Sequence, residues 1–349
     1  MQVSCPRPTA ARNISISQQA RSTAFVRPVP PWSRLAAFSA EASRLEQFQP
    51  PFQFSSFFSP EDTLLCVLAG ERALAAHLGS SPGIVELTSG SGLVGFRLLS
   101  LGPSATLFGV DIDPDAESCA RANAERLGYA GRARFVCMSL WDPVMEAVLR
   151  GQRTDILVCN PPYIPEPPEA GLPVEAGAGA DGSAHLRRVT ALAYATQPET
   201  LVLSWCSLCD PAGVVGDVED AGYQLDELFV VLIADGEYSG SVHNYLLTLP
   251  TAFLNSSHET LRVVAPDGAA RFGYLLMSGC FSRTATTSHD GREAMRSLCT
   301  SFRDQGASAL EGFRSSIEGR IWLLDRWDEI TLRAILHGPI AAPVYTVSP

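Results

Sequence analysis

Through the middle of the chain, short apolar runs alternate with amphipathic stretches. The runs are GIVEL (83–87), ATLFGVDID (105–113), ARFVCMS (133–139), DILVCN (155–160), TLVLSWC (200–206) and ELFVVLI (227–233). Each has strand length and little polar face, which predicts strands buried on both sides. Between them, GLVGFRLLSLG (92–102) and PDAESCARANAERLG (114–128) repeat apolar positions at the helical period, with Pro114 opening the second helix and Gly128 stopping it. Upstream, SPEDTLLCVLAGERALAAHL (59–78) predicts another helix. Ser59 takes a cap-like position there, Pro60 the first turn, and Glu61 and Asp62 the end where the helix dipole favours anions. Strands alternating with helices predict an α/β chain with a parallel sheet covered on both faces. The ligand cleft is then expected outside the carboxyl ends of the strands.

The ends of the chain read differently. Residues 1–32 are rich in Pro, Ser, Arg and Gln and have no periodicity, so they read as a flexible extension. Leu35, Phe38, Ala42 and Leu45 recur at helical spacing and predict a short helix before prolines interrupt regular structure. LRVVAPDGAARFGYLLMSG (261–279) predicts a hairpin turning at Pro266, Asp267 and Gly268. Residues 290–338 predict mostly helix, with apolar residues of IEGRIWLLDRWDEITLRAIL at helical intervals. The expected division is a flexible extension with a short helix (1–50), the α/β domain (51–250), and a hairpin with helices (251–349) serving substrate recognition or assembly.

Composition narrows the chemistry. With 46% hydrophobic and 18% charged residues in 349, a sizeable core is expected. The formal net charge of −11 argues against a surface that tracks phosphate backbones. All 26 basic residues are arginine, so no lysine base or Schiff base operates here. None of His77, His185, His243, His258, His289 or His337 has ligand-like spacing, and Cys206 and Cys209 form a lone CxxC, so no metal is expected. No apolar run reaches the ~18 residues of a membrane span, and the first residues carry no apolar signal core. A soluble cytoplasmic protein without membrane partners is expected, with a homo-oligomer left open.

Four marked segments fall at strand ends: Glu86, Asp111, Ser139 and Asn160. ELTSGSG (86–92) joins a strand to a helix, and its glycines let backbone approach a ligand while the helix start offers free N–H groups. Asp111 ends the next strand, where an acid can accept both hydroxyls of a ribose; Asp113, before Pro114, reads as the helix cap. GSGLVG (90–95) also fits a dinucleotide turn, so this pair alone leaves two cofactor classes open. Downstream stands Asn160-Pro161-Pro162-Tyr163. The Asn160 side-chain oxygen and the Pro161 carbonyl can accept both N–H groups of one planar nitrogen, and consecutive prolines hold that carbonyl still. Such a grip orients a poorly nucleophilic nitrogen and builds negative character on it without a strong base. Tyr163 offers a ring to pack on a planar substrate and a hydroxyl to anchor it. Trp141 reads either as a wall beside the cleft or as core, and Glu166, Glu169 and Glu175 as loop acids.

With these residues in place, positions 57–223 resemble the amino-methyltransferases that carry Asn-Pro-Pro-Tyr, of the release factor glutamine methyltransferase type. The resemblance rests on SPEDT (59–63), Glu86, Gly90 and Gly92, VDIDPDA with CARANAERLG, SLWDP, NPPYI and VEAGAGADGSAHLRRV. It implies a Rossmann-like, seven-stranded class I methyltransferase sheet with an N-terminal helical extension and a C-terminal α+β addition. The implied cofactor is S-adenosyl-L-methionine. Glu86, Gly90 and Gly92 would contact its methionine part, Asp111 the ribose, and Ser139 with Leu140 the adenine edge; Thr88 and Ile112 would also bind the cofactor. Asn160, Pro161 and Tyr163 would be catalytic, with Asn160 also beside the cofactor, and Asn160, Pro162 and Tyr163 would bind the substrate. Three positions depart from the family pattern: Thr88 replaces glycine, Ser139 replaces aspartate, and Ala176 replaces proline. The implied activity is N-methylation of an amide, amino or guanidino nitrogen on a small molecule or peptide. Protein glutamine, a nucleic-acid base and a non-catalytic cofactor-binding role are the alternatives, in that order.

Overall fold

A computed structural model of the chain describes residues 59–77, 79–265, 268–286, 289–310 and 321–324. The expected N-terminal extension and helix, the Pro266-Asp267 turn, and residues 311–320 and 325–338 of the expected C-terminal helical stretch lie outside the described residues.

Helix α1 (Pro60–Ala75) starts at Pro60, as the cap signals predict, and precedes β1 (Gly83–Leu87) and α2 (Leu93–Leu101). β2 (Thr106–Asp111), α3 (Pro114–Arg126), β3 (Ala133–Cys137), α4 (Met145–Arg150) and β4 (Ile156–Cys159) follow. After a long loop come α5 (Ala184–Thr196), β5 (Thr200–Cys206), α6 (Pro211–Asp220) and β6 (Tyr223–Ala234). The remaining elements are α7 (Glu237–Ser241), α8 (His243–Leu246), α9 (His258–Val264), β7 (Gly273–Arg283), α10 (Asp290–Gln305) and β8 (Ile321–Leu324).

The strands form one sheet in the order β3-β2-β1-β4-β5-β7-β6-β8. β1, β4 and β5 are buried along their whole length, the reason their sequences read as unbroken apolar runs. Strands β1 to β5 pair in parallel, and β7 inserts antiparallel between β5 and β6. Parallel crossovers are right-handed, so winding outward from β1 in one direction and from β4 in the other puts helices on both faces. α10 closes the β6 side by packing on α6 with Met295, Leu298, Cys299 and Phe302 buried at helical spacing.

The seven expected strands stand in the order β3-β2-β1-β4-β5-β7-β6, and among the described residues an eighth, β8, pairs in parallel with β6 at the edge. Three other expectations need correction. The expected hairpin is a helix followed by a strand: Ser257 caps α9 by accepting the Thr260 N–H, and the strand-like residues Leu261–Val264 complete its turns. β8 lies inside the segment whose apolar spacing predicted helix. Since β7 belongs to the same sheet as β5 and β6, the expected boundary at residue 250 does not separate two cores.

Candidate active site

The sheet's strand order reverses between β1 and β4, where a parallel sheet opens a cleft at its carboxyl end. The last paired residues there are Leu87 and Cys159. The turn after β1 and the tetrapeptide after β4 therefore start side by side.

Glu86, only 4% exposed, points at α2, and its Oε2 accepts the Gly95 N–H at 3.1 Å. A Cβ on Gly95 would fall 2.5 Å from that oxygen, so the close approach needs glycine. Burial pushes the Glu86 carboxyl up to about 8; the Gly95 N–H offsets part of this and the nearby Asp111 adds to it. A carboxyl raised on folding contributes stability that is whole below its ordinary 4.5 and lost as pH rises toward about 8. Thermal melts of the cofactor-free protein should therefore show Tm falling across that window. Glu86→Gln should make the slope shallower; an unchanged slope would show that Glu86 is ionised throughout.

In the turn, Gly90 and Gly92 have φ of +50° and +79°. The Gly90 N–H donates to Asp111 Oδ2 at 2.8 Å, and Asp111 Oδ1 accepts the Asp113 N–H at 3.0 Å. Each oxygen keeps a lone pair for a further donor. Burial raises the Asp111 carboxyl, and the backbone N–H groups oppose that shift. Asp113 caps α3 by accepting the Asp115 N–H, as its place before Pro114 implied. Thr88 has φ +54°, a conformation that costs a residue other than glycine about 1–3 kcal/mol.

The remaining cofactor candidates follow the ends of β2 and β3. Ile112 is 48% exposed at the end of β2. Ser139 Oγ accepts the Trp141 N–H, and the carbonyl of buried Leu140 accepts from Arg188 Nε at 2.8 Å. Trp141 is 56% exposed, with His185 at its edge and Arg188 over its ring, so it is not core.

At the end of β4, Asn160 Oδ1 is buried and has no hydrogen-bond partner among the described residues. Buried acceptors are nearly always paired, so an orphan at a strand end marks a place for a donor from outside the chain. Pro161 is buried beside it and Pro162 half-buried. Tyr163 departs from expectation: it is 7% exposed and its hydroxyl donates to Asp62 on α1 instead of opening to the cleft. Burial and the Asp62 charge hold the phenol well above its usual range. The pair fastens the tetrapeptide to α1. Tyr163→Phe and Asp62→Ala should each lower stability by about 1–3 kcal/mol, the cost of breaking a buried hydrogen bond to a charged group. The double variant should lose less than the two together. Additive losses in denaturant melts would show that the pair is uncoupled.

The loop after the tetrapeptide folds back on it: Ile164 donates to Ala176 O, and Ala178 donates to Ile164 O. Glu166 accepts the Leu172 N–H, and Glu175 accepts from the Tyr238 hydroxyl, so both serve the loop. Sequence reasoning missed Asp62 and also Asn123, which is 1% exposed on α3 and donates to Ser91 O at 3.2 Å to hold the turn. SPEDT (59–63) and CARANAERLG (119–128) contain these residues but carry no signal of their targets. Among the described residues, no group of three or more His, Cys, Asp or Glu could hold a metal, and no helix is long and apolar enough to cross a membrane.

These groups fit S-adenosylmethionine. A half-buried carboxylate with spare lone pairs suits a ribose diol, the glycine turn admits a close ligand, exposed Ile112 can face an adenine, and the orphan Asn160 oxygen lies where an acceptor would enter. Residues 67–169, from α1 through the tetrapeptide, match the family model described as Methyltransferase small domain. The release factor glutamine methyltransferase of Chlorobaculum tepidum is 40% identical over 110 residues, 31% of this chain and 37% of that protein. The tRNA1(Val) (adenine(37)-N6)-methyltransferase of Porphyromonas gingivalis strain W83 is 35% identical over 104 residues, 30% of this chain and 39% of that protein. Human Methyltransferase HEMK2 is 31% identical over 138 residues, 36% of this chain and 60% of that protein. The chain thus spans less than two thirds of each of these relatives. Residues 67–169, on the parallel part of this sheet, match the Methyltransferase small domain model, and over that stretch the chain is similar to proteins named as a release factor glutamine methyltransferase and a tRNA1(Val) (adenine(37)-N6)-methyltransferase.

Proposed function

We propose that the chain is an S-adenosylmethionine-dependent N-methyltransferase whose acceptor is an amide, amino or guanidino nitrogen of a small molecule or peptide. The observation that carries this reading is the buried, unpartnered Asn160 Oδ1 at the end of β4. S-adenosylmethionine supplies an electrophilic methyl group on a sulfonium. Asn160 Oδ1 and the Pro161 carbonyl accept the two N–H groups of the acceptor, which aims the nitrogen lone pair and raises its electron density. With the cofactor bound, the nitrogen pair held by these two oxygens would form the new N–C bond as the methyl–sulfur bond breaks with its pair kept on sulfur, and the displaced N–H proton would pass to water. Asp111 takes the ribose hydroxyls, and the turn at Gly90 and Gly92 admits the methionine end. Burial of the Asn160 oxygen keeps water from competing for it.

Peptide glutamine is the second reading, favoured by the 40% identity to the Chlorobaculum tepidum protein. The net charge of −11 and the enclosed Tyr163 ring weigh against a stacked nucleic-acid base. Incubation with methyl-labelled S-adenosylmethionine and three acceptor classes tests the choice: glutamine peptides, a low-mass metabolite extract of the host, and tRNA. Label on the peptides or a low-mass product is expected. Label confined to tRNA, or on none of the three, would contradict the proposal.

A further inference from the structure

Thr88 is an expensive residue for its backbone. At φ +54° it occupies the left-handed region, which a β-branched side chain enters only under strain. Glycine holds the same conformation freely, as Gly90 does two residues on. What threonine adds is a hydroxyl in a particular place.

β1 and β4 keep parallel register as far as Leu87 and Cys159. One residue beyond that last rung, Thr88 Oγ1 lies 3.1 Å from the Asn160 carbonyl oxygen. It also lies 2.6 Å from Leu87 O and 3.4 Å from Cys159 Sγ. The hydroxyl thus reaches across the switch point where the strand ladder has ended. The Asn160 carbonyl belongs to the planar Asn160–Pro161 peptide. A hydroxyl has one proton to give, with Leu87 O and Cys159 Sγ as the competing neighbours. Directed at Asn160 O, it fixes the Asn160–Pro161 peptide plane, and with it the Cα of Asn160 and the ring of Pro161. Those two residues carry both proposed acceptors of the substrate nitrogen.

We propose that Thr88 is a positioning residue: its hydroxyl, carried across the β1–β4 junction by a strained backbone, sets the direction from which Asn160 Oδ1 and the Pro161 carbonyl meet the methyl-accepting nitrogen. The inference rests on the N-methyltransferase reading above. It moves Thr88 from the cofactor-contact role implied by family resemblance to a tie between the cofactor turn and the acceptor loop.

Two cofactor analogues give a readout that needs no acceptor. Sinefungin carries an amine where the transferable methyl sits, and S-adenosylhomocysteine carries nothing there. Calorimetry on the full chain should show tighter binding of sinefungin, because its amine meets the Asn160 and Pro161 oxygens. Thr88→Val, which keeps the shape and loses the hydroxyl, should cut that preference about fivefold, the net worth of one hydrogen bond. S-adenosylhomocysteine affinity should not change. Thr88→Ser should restore the preference. Thr88→Gly should lose it while raising Tm through relief of strain, whereas a merely structural threonine would lower Tm on removal.

Asn160→Ala separates the two claims. If it leaves the sinefungin preference intact, the N-methyltransferase reading fails whatever Thr88 does. If it erases the preference while Thr88→Val and Thr88→Gly retain it, the positioning role is overturned. Equal losses for both analogues in Thr88→Val would make Thr88 a cofactor contact and also overturn the proposal.

Discussion

Asn160→Ala is expected to lower methyl transfer by about 10²–10³-fold, the scale on which removing one preorganised polar group slows a reaction. Cofactor affinity should stay within about twofold, a shift of about 0.4 kcal/mol. The asymmetry follows from the structure. Asn160 Oδ1 has no partner among the described residues, so deleting it leaves no buried donor behind there. The proposed cofactor contacts lie instead on the turn after β1 and on Asp111, which are tied by the Gly90 N–H to Asp111 Oδ2 bond. Tm should therefore not fall, and loss of activity cannot be ascribed to unfolding. Single-turnover transfer of labelled methyl, beside calorimetry with S-adenosylhomocysteine, separates the two quantities. Retained transfer would remove Asn160 from the chemistry.

Asp111→Ala is expected to weaken cofactor binding tenfold or more, about 1.4 kcal/mol or above. The carboxylate would hold the ribose hydroxyls, and it also organises the turn through the Gly90 N–H at 2.8 Å. Its loss removes a ligand acceptor and loosens the glycine turn together. Asp111→Asn keeps one oxygen acceptor and should lose less. Titration calorimetry distinguishes them, and an unchanged Kd for Asp111→Ala would place the ribose elsewhere.

The central sheet was readable because strands buried on both faces leave long apolar runs. β5 matches its predicted span, Thr200–Cys206, residue for residue. β6 starts four residues earlier than its apolar run, because Tyr223–Asp226 alternates and a register shift falls between Leu225 and Glu227. α9 escaped because its Leu261–Val264 end favours strand, while the Ser257 cap that decides the matter is a local geometric event. β8 escaped because a short apolar run fits either period, and pairing with β6 chose the strand.

The site divides along the same line. Glu86, Asp111 and Asn160 were legible because polar residues at the carboxyl ends of apolar strands have few structural reasons to be there. The partner of Tyr163 was not, since Asp62 lies 101 residues away and a sequence carries no sign of that distance closing. Thr88 was visible as a departure from glycine, but its positive φ and its reach to Asn160 belong to the fold alone.

A crystal structure of the chain with sinefungin bears most directly on the nitrogen grip at the end of β4. The expected result is the sinefungin amine within hydrogen-bond reach, about 3 Å, of Asn160 Oδ1, with the ribose on Asp111. An amine turned away from residue 160, with no polar contact to the tetrapeptide, would contradict it.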